Sequence, residues 1–180
     1  MMKKFLLSVV IFFSFLILSG KNIAFLASES DTFVITKAMK MLDLPENIKI
    51  YLITPEDIEN IEKAREFVAG ADLILVDVMI SELVSYLEKN IAVKEKTVFA
   101  LRASRNDVLL EKEGFKFNRE LIPYFDNLTE KNVRNLIKRA VSFEIDKTVT
   151  FEKMEPLPSV GIYHPDSGKL FSDHEEYLEW

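Results

Sequence analysis

Residues 72–78 have the sequence DLILVDV, in which four apolar residues stand between Asp72 and Asp77. A continuous apolar run of this kind is typical of a strand that is buried on both faces. Such strands belong to parallel sheets that carry helices on both sides, because each face of the sheet must be covered. The segment therefore predicts an α/β protein.

Strand and helix patterns alternate along the chain on both sides of this segment. Apolar strand patterns occupy residues 22–27, 48–53, 72–78 and 97–101, and helical spacing follows them at residues 32–42, 54–70, 81–90 and from 129 onward. Residues 107–114 predict a short helix or an irregular piece, and residues 143–153 an extended exit segment. The alternation predicts a doubly wound, mostly parallel sheet of four or more strands, flavodoxin-like, with an extended C-terminal tail.

Two helices have clear start signals. Thr54 is placed as an N-cap before Pro55, with Asp57 three residues after the cap, and Gly70 is placed to end that helix. Thr129 is placed to cap the last long helix. Residues 127–129 also match a glycosylation triplet, but a helix cap explains Thr129 better.

The first twenty residues predict export. Lys3 and Lys4 precede an apolar run over residues 5–18, which is the layout of a secretory signal and is short for a membrane span. We therefore expect residues 1–20 to be a signal peptide or an uncleaved signal anchor, and the only membrane contact to run through them. A buried first element is the alternative, and the protein would then be cytoplasmic.

Composition limits the remaining classes. The chain has 180 residues, a formal net charge of −6 and no cysteine. The negative charge disfavours a nucleic-acid partner, and the lack of cysteine excludes disulfides and thiolate metal sites. The length suits one α/β domain, which we place at residues 21–153, followed by a linker and docking tail at residues 154–180.

The tail carries a motif of small, aromatic and charged residues. Its members are Gly161, Ile162, Tyr163, His164, Pro165, Asp166, Phe171, Glu176, Tyr177, Leu178 and Trp180. This pattern resembles a segment near the amino-terminal end of the cobaltochelatase large subunit (CobN type), a family that includes the magnesium-chelatase H subunit. The motif covers about a tenth of the chain.

The resemblance implies a role in cobalamin biosynthesis. The complete protein would bind a corrin-type tetrapyrrole and insert Co²⁺, with separate ATPase subunits as partners. The catalytic body of that family is absent, so we expect an amino-terminal segment that is inactive alone and carries no catalytic residue. Its tail would dock onto the rest of the large subunit through Gly161, Tyr163, His164, Pro165, Phe171, Tyr177 and Trp180. The alternative is an exported stand-alone module that binds a tetrapyrrole, a metal or a partner.

Three loops follow strands at the edge where open α/β sheets bind ligands. Residues 28–32 could cradle phosphate, but their acids and lack of glycine favour helix capping by Ser30 or Asp31. Asp77 is expected to form a helix cap or a salt bridge. Arg102 and Arg105 could hold the carboxylates of a corrin, or lie in a solvated loop. No Rossmann fingerprint or P-loop is present, so nucleotide binding is not expected.

The tail also contains a candidate metal site. His164 and Asp166 provide an imidazole and a carboxylate, which together suit a divalent ion such as cobalt. Their spacing matches no known ligand pattern, and residues 164–168 equally predict a turn. No cofactor is assigned to this segment itself.

Overall fold

A five-stranded parallel sheet forms the centre of the computed structural model, which describes residues 20–157, 161–164, 166–167 and 169–180. Its strands are β1 (Lys21–Leu26), β2 (Ile48–Ile53), β3 (Leu73–Val76), β4 (Thr97–Ala100) and β5 (Lys116–Phe117). They lie in the order β2-β1-β3-β4-β5, the flavodoxin-like order, and all neighbours are parallel. The predicted doubly wound α/β class is confirmed. Residues 1–19 of the predicted leader, and Pro165, lie outside the described residues.

Eight α-helices are described. They are α1 (Thr32–Lys40), α2 (Pro55–Asn60), α3 (Glu62–Gly70), α4 (Ser81–Asn90), α5 (Asp107–Glu113), α6 (Ile122–Asp126), α7 (Glu130–Glu144) and α8 (His174–Glu179). None of these described helices has the length and apolar content needed to cross a bilayer.

The alternation of side chains along β1 and β3 divides the core into two layers. Phe25 and Leu75 point into one layer, where they meet α1, α6 and α7. Leu26 and Val76 point into the other, where they meet α3, α4 and α5. Successive residues of a strand face opposite sides, so a fully apolar β3 requires helices on both faces.

The predicted helix over residues 54–70 is two helices. The cap forms as predicted, since the Thr54 hydroxyl accepts from the Asp57 N–H and the Asp57 carboxylate accepts from the Thr54 N–H. The chain then leaves helical geometry at Ile61, with φ −119° and ψ 107°. The Arg65 guanidinium donates to the carbonyls of Ile58 and Glu59 at 2.8 and 3.0 Å and so satisfies groups that the break releases.

The C-terminal region has more structure than an extended exit segment and tail. Helix α7, capped by Thr129 as predicted, continues to Glu144. Residues 151–157 then run back along α7, and their backbone N–H groups donate hydrogen bonds to its side chains. Strands β6 (Ile162–His164) and β7 (Lys169–Phe171) form an antiparallel hairpin, and α8 follows with Asp173 as its N-cap.

Two glycines give a matched test of the backbone. Gly114 ends α5 with φ 106°, and an added Cβ would lie 2.9 Å from the Lys94 backbone, whereas at Gly70 nothing lies within 4 Å. Gly114→Ala should lower the free energy of unfolding by about 2 kcal/mol, because a side chain is strained in the left-handed region. Gly70→Ala should raise it by about 0.5 kcal/mol. Urea unfolding measures the free energy of unfolding of both variants. Equal changes in the two variants would contradict the left-handed conformation of Gly114.

Candidate functional site

An ion-pair cluster joins three loops at the carboxyl edge of the sheet. The Arg102 Nε lies 3.2 Å from Asp77 Oδ2, and the Arg102 Nη2 lies 3.4 Å from Asp31 Oδ2. The guanidinium also stacks over the Phe125 ring, 4.8 Å from its centroid. The three charges come from the loops after β1, β3 and β4, so the cluster occupies the switch point between β1 and β3, where flavodoxin-like folds bind ligands.

Asp77 is the buried member of this cluster, with a side chain only 3% exposed. Burial raises the pKa of its carboxyl group, and the carboxylates of Asp31 and Asp126 act in the same direction. The Met79 N–H, which donates to Asp77 Oδ1 at 3.0 Å, and the Arg102 guanidinium partly offset that rise. The predicted salt bridge is confirmed, and Asp77 does not cap α4, whose N-cap is Ile80.

The loop over residues 28–32 does not cap α1 with a side chain, and that prediction was wrong. Asp31 occupies the N-cap position without a side-chain cap, because its carboxylate turns toward Arg102. Ser30 instead shares a hydrogen bond with Ser28, 2.7 Å between the hydroxyl oxygens. The loop therefore adds a negative charge to the switch point.

An open cleft of about 600 Å³ lies beside this cluster, between the loops that follow β3 and β4. Its volume falls within the range of small-molecule sites. The apolar part of its lining, called the apolar wall below, includes Met79 and Leu109, which are 60% and 61% exposed to solvent. The rest of the lining includes Ser85, Glu88, Ser104, Arg105 and Asn106. The cleft thus combines exposed apolar surface with a few polar groups.

The two arginines predicted as ligand-binding residues have different roles in the structure. Arg102 is 34% exposed and is paired with two carboxylates. Arg105 is exposed, lines the cleft, and makes no ion pair with any residue that the structure describes. The guanidinium that can meet a carboxylate ligand in the cleft is therefore that of Arg105.

Four aromatic rings of the tail motif lie close together. Phe171 is 2% exposed and lies 5.4 Å from the Tyr177 ring and 5.9 Å from the Trp180 ring, centroid to centroid. His164 lies 4.8 Å from Trp180, which stays 57% exposed. Phe171 is thus buried by its own tail, while Trp180 keeps surface that a partner could cover. Docking through these residues remains a prediction.

His164 and Asp166 lie close together but make a turn. The Asp166 N–H donates to His164 Nδ1 at 3.2 Å, and the nearest carboxylate oxygen of Asp166 is 3.9 Å from that nitrogen. No group of three or more metal-binding side chains occurs in the part of the chain that the structure describes. The metal site at these two residues stays a prediction without a third described ligand.

Comparisons with known proteins assign no family. No protein-family model matches the chain, and no curated protein matches it at a significant level. The fold and the cleft therefore define a flavodoxin-like α/β domain with a candidate ligand site at its carboxyl edge.

Removal of the Arg102 charge should destabilise the protein. Arg102→Leu leaves Asp77 buried without its cation, so the free energy of unfolding should fall by about 2 kcal/mol at neutral pH. The Asp77→Asn, Arg102→Leu double variant should recover at least half of that loss, because an amide needs no counter-ion. Chemical denaturation of both variants measures the difference.

The same pair predicts a pH dependence. A carboxyl group whose folded pKa is raised binds its proton more tightly in the folded state, so stability falls as pH rises through that window. Arg102→Leu should therefore lose stability more steeply than the double variant as the pH rises above about 4, the usual pKa of an aspartate. If the free energy of unfolding changes with pH in the same way in both variants, Asp77 is not the group that causes the pH dependence.

Proposed function

We propose that the cleft between the β3–α4 and β4–α5 loops binds a corrin-type tetrapyrrole, as the amino-terminal segment of a cobaltochelatase-like large subunit would. The observation that carries this proposal is that the cleft combines an exposed apolar wall with Arg105, which makes no ion pair with any described residue. A corrin presents a broad apolar ring and a rim of acid and amide arms. The wall suits the ring, and Arg105 suits an acid arm.

The polar lining supports a ligand with both kinds of arm. Glu88 would repel a fully anionic ligand, but its carboxylate can accept from the N–H of an amide arm. Ser85 and Ser104 add hydroxyl groups that serve as donors or acceptors. The cleft is open, so this domain would cover one face of the macrocycle and leave the other to a partner.

The tail motif supports the choice of macrocycle. Its resemblance to the cobaltochelatase large subunit is independent of the cleft, because none of the described tail residues lines the cleft. Insertion of Co²⁺ by the complete protein would need the rest of the subunit and ATPase subunits. This chain supplies a binding surface, and the proposal assigns it no catalytic step.

Titration of the chain with dicyanocobyrinate a,c-diamide, which has both carboxylate and amide arms, tests the proposal by visible absorbance. Arg105→Ala should weaken binding about tenfold, since a charge-assisted pair is worth about 1.5–3 kcal/mol. Leu109→Asp should weaken it as much, by placing a charge in the apolar wall. Arg119→Ala removes an exposed arginine outside the cleft and should have no effect.

A neutral corrin separates charge recognition from apolar contact. Dicyanocobinamide has amide arms in place of the acids, so its binding should be weaker and insensitive to Arg105→Ala. An unchanged spectrum with both corrins at high micromolar concentration would overturn the proposal. Equal loss from Arg105→Ala and Arg119→Ala would show that binding is nonspecific attraction to positive charge.

A further inference from the structure

Side chains of α6 and α7 hold a neighbouring backbone segment in place. Residues 151–157, which we call the strap, belong to no helix or strand. The Glu152 N–H donates to Asn135 Oδ1 at 2.8 Å, and the Glu155 N–H donates to Asn132 Oδ1 at 3.0 Å. Asn132 Nδ2 also donates to the Glu155 carbonyl at 2.7 Å. The groove is the surface formed by Asn132, Asn135 and the neighbouring side chains that contact the strap.

Further contacts continue the same pattern at both ends of the strap. The Tyr124 hydroxyl donates to the Glu152 carbonyl at 2.7 Å, and the Leu157 N–H donates to the side-chain oxygen of Asn127 at 2.9 Å. The Arg139 guanidinium stacks over the Phe151 ring at 4.9 Å. The strap therefore runs antiparallel to α7, and most of its hydrogen bonds to the groove use backbone atoms.

The asparagines of the groove are oriented by their own helices. The Asn135 amide donates to the Lys131 carbonyl at 3.0 Å, and the Asn127 amide donates to the Pro123 carbonyl at 2.9 Å. The Asn132 amide donates to the Asn127 carbonyl at 2.7 Å. These bonds fix the direction of each side-chain oxygen without help from the strap, so the groove is preorganised for a backbone donor.

The strap covers the asparagines that bind it. Asn132 is 0% exposed and Asn135 is 6% exposed with the strap in place. If the strap leaves, water replaces its backbone groups at these amides. An occupant of matching chemistry regains the same hydrogen bonds and shields them from solvent again.

Charge restricts what can occupy the groove. Lys131 forms ion pairs with Glu152 at 2.9 Å and with Glu155, and these contacts raise the pKa of the Lys131 ammonium. The hydrogen bond from Lys131 lowers the pKa of the Glu152 carboxyl, and Arg134 and Lys138 act in the same direction. The groove is thus basic within a chain whose net charge is −6. It fits an acidic peptide, with an apolar residue between the acids as Met154 is here.

We propose that the groove is a peptide-binding site whose strap is an exchangeable occupant, and that the partner it fits is residues 151–157 of a second copy of this chain. The backbone contacts and the acidic spacing are met by that segment whichever copy supplies it. In the monomer the chain's own strap occupies the groove, because its covalent connection to the domain gives it an effective concentration in the millimolar range. This inference is independent of the tetrapyrrole proposal.

The test uses the full chain with Glu152→Pro and Glu155→Pro, which remove the two N–H groups that donate to Asn135 and Asn132. A fluorescent peptide of residues 148–157 should bind this variant at least tenfold more tightly than the unaltered chain, by fluorescence anisotropy. Addition of Asn132→Ala should reduce that binding at least tenfold. A peptide that carries both prolines is the matched control and should not bind.

Two results would overturn the proposal. One is equal binding, or none, to the unaltered chain and the double-proline variant. The other is binding that Asn132→Ala leaves unchanged. If circular dichroism shows that the double-proline variant does not fold, the same comparison is made with Met154→Ser, which keeps both N–H groups and removes the apolar anchor of the strap.

Discussion

The burial of β3 on both faces is the constraint from which the rest of the structure follows. Leu73 and Leu75 are fully enclosed in one core layer, and Ile74 and Val76 in the other. Such a strand must lie between parallel neighbours with helices above and below. It also delivers the next residue, Asp77, to a place with little water. A carboxylate there needs a cation, so the fold creates the demand that Arg102 meets.

The charges of the ion-pair cluster restrict where the proposed ligand can bind. Asp31 and Asp77 place two negative charges at the switch point between β1 and β3, and Arg102 is used to balance them. A phosphate-binding loop of the flavodoxin kind is therefore disfavoured there, although the strand order is the same. The open cleft lies one strand further along the sheet, where Arg105 makes no ion pair with a described residue. The proposed ligand binding and the charge balance thus use two arginines only three residues apart.

The sequence predicted the elements whose cause is local. Apolar runs located β1 to β4, and the caps at Thr54 and Thr129 marked helix starts correctly. It missed β5, because two residues are too short to show a period, and α6, because its five residues span little more than one helical turn. The break at Ile61 and the asparagine contacts to the strap depend on tertiary partners, so no local sequence pattern predicts them. The salt bridge of Asp77 was foreseen, but its partner was not, since Arg102 becomes a neighbour only through the register of β3 and β4.

The proposed ligand site lies at the loops after β3 and β4, and the carboxylates of Asp31 and Asp77 are expected to exclude an anionic ligand from the switch point. Backbone amide NMR during titration with dicyanocobyrinate a,c-diamide distinguishes these two places, because each loop gives its own signals. We expect chemical-shift changes at Met79, Ser104 and Arg105, with residues 28–31 unchanged. Changes centred on residues 28–31 would overturn the proposed site, because they would place the ligand among those carboxylates.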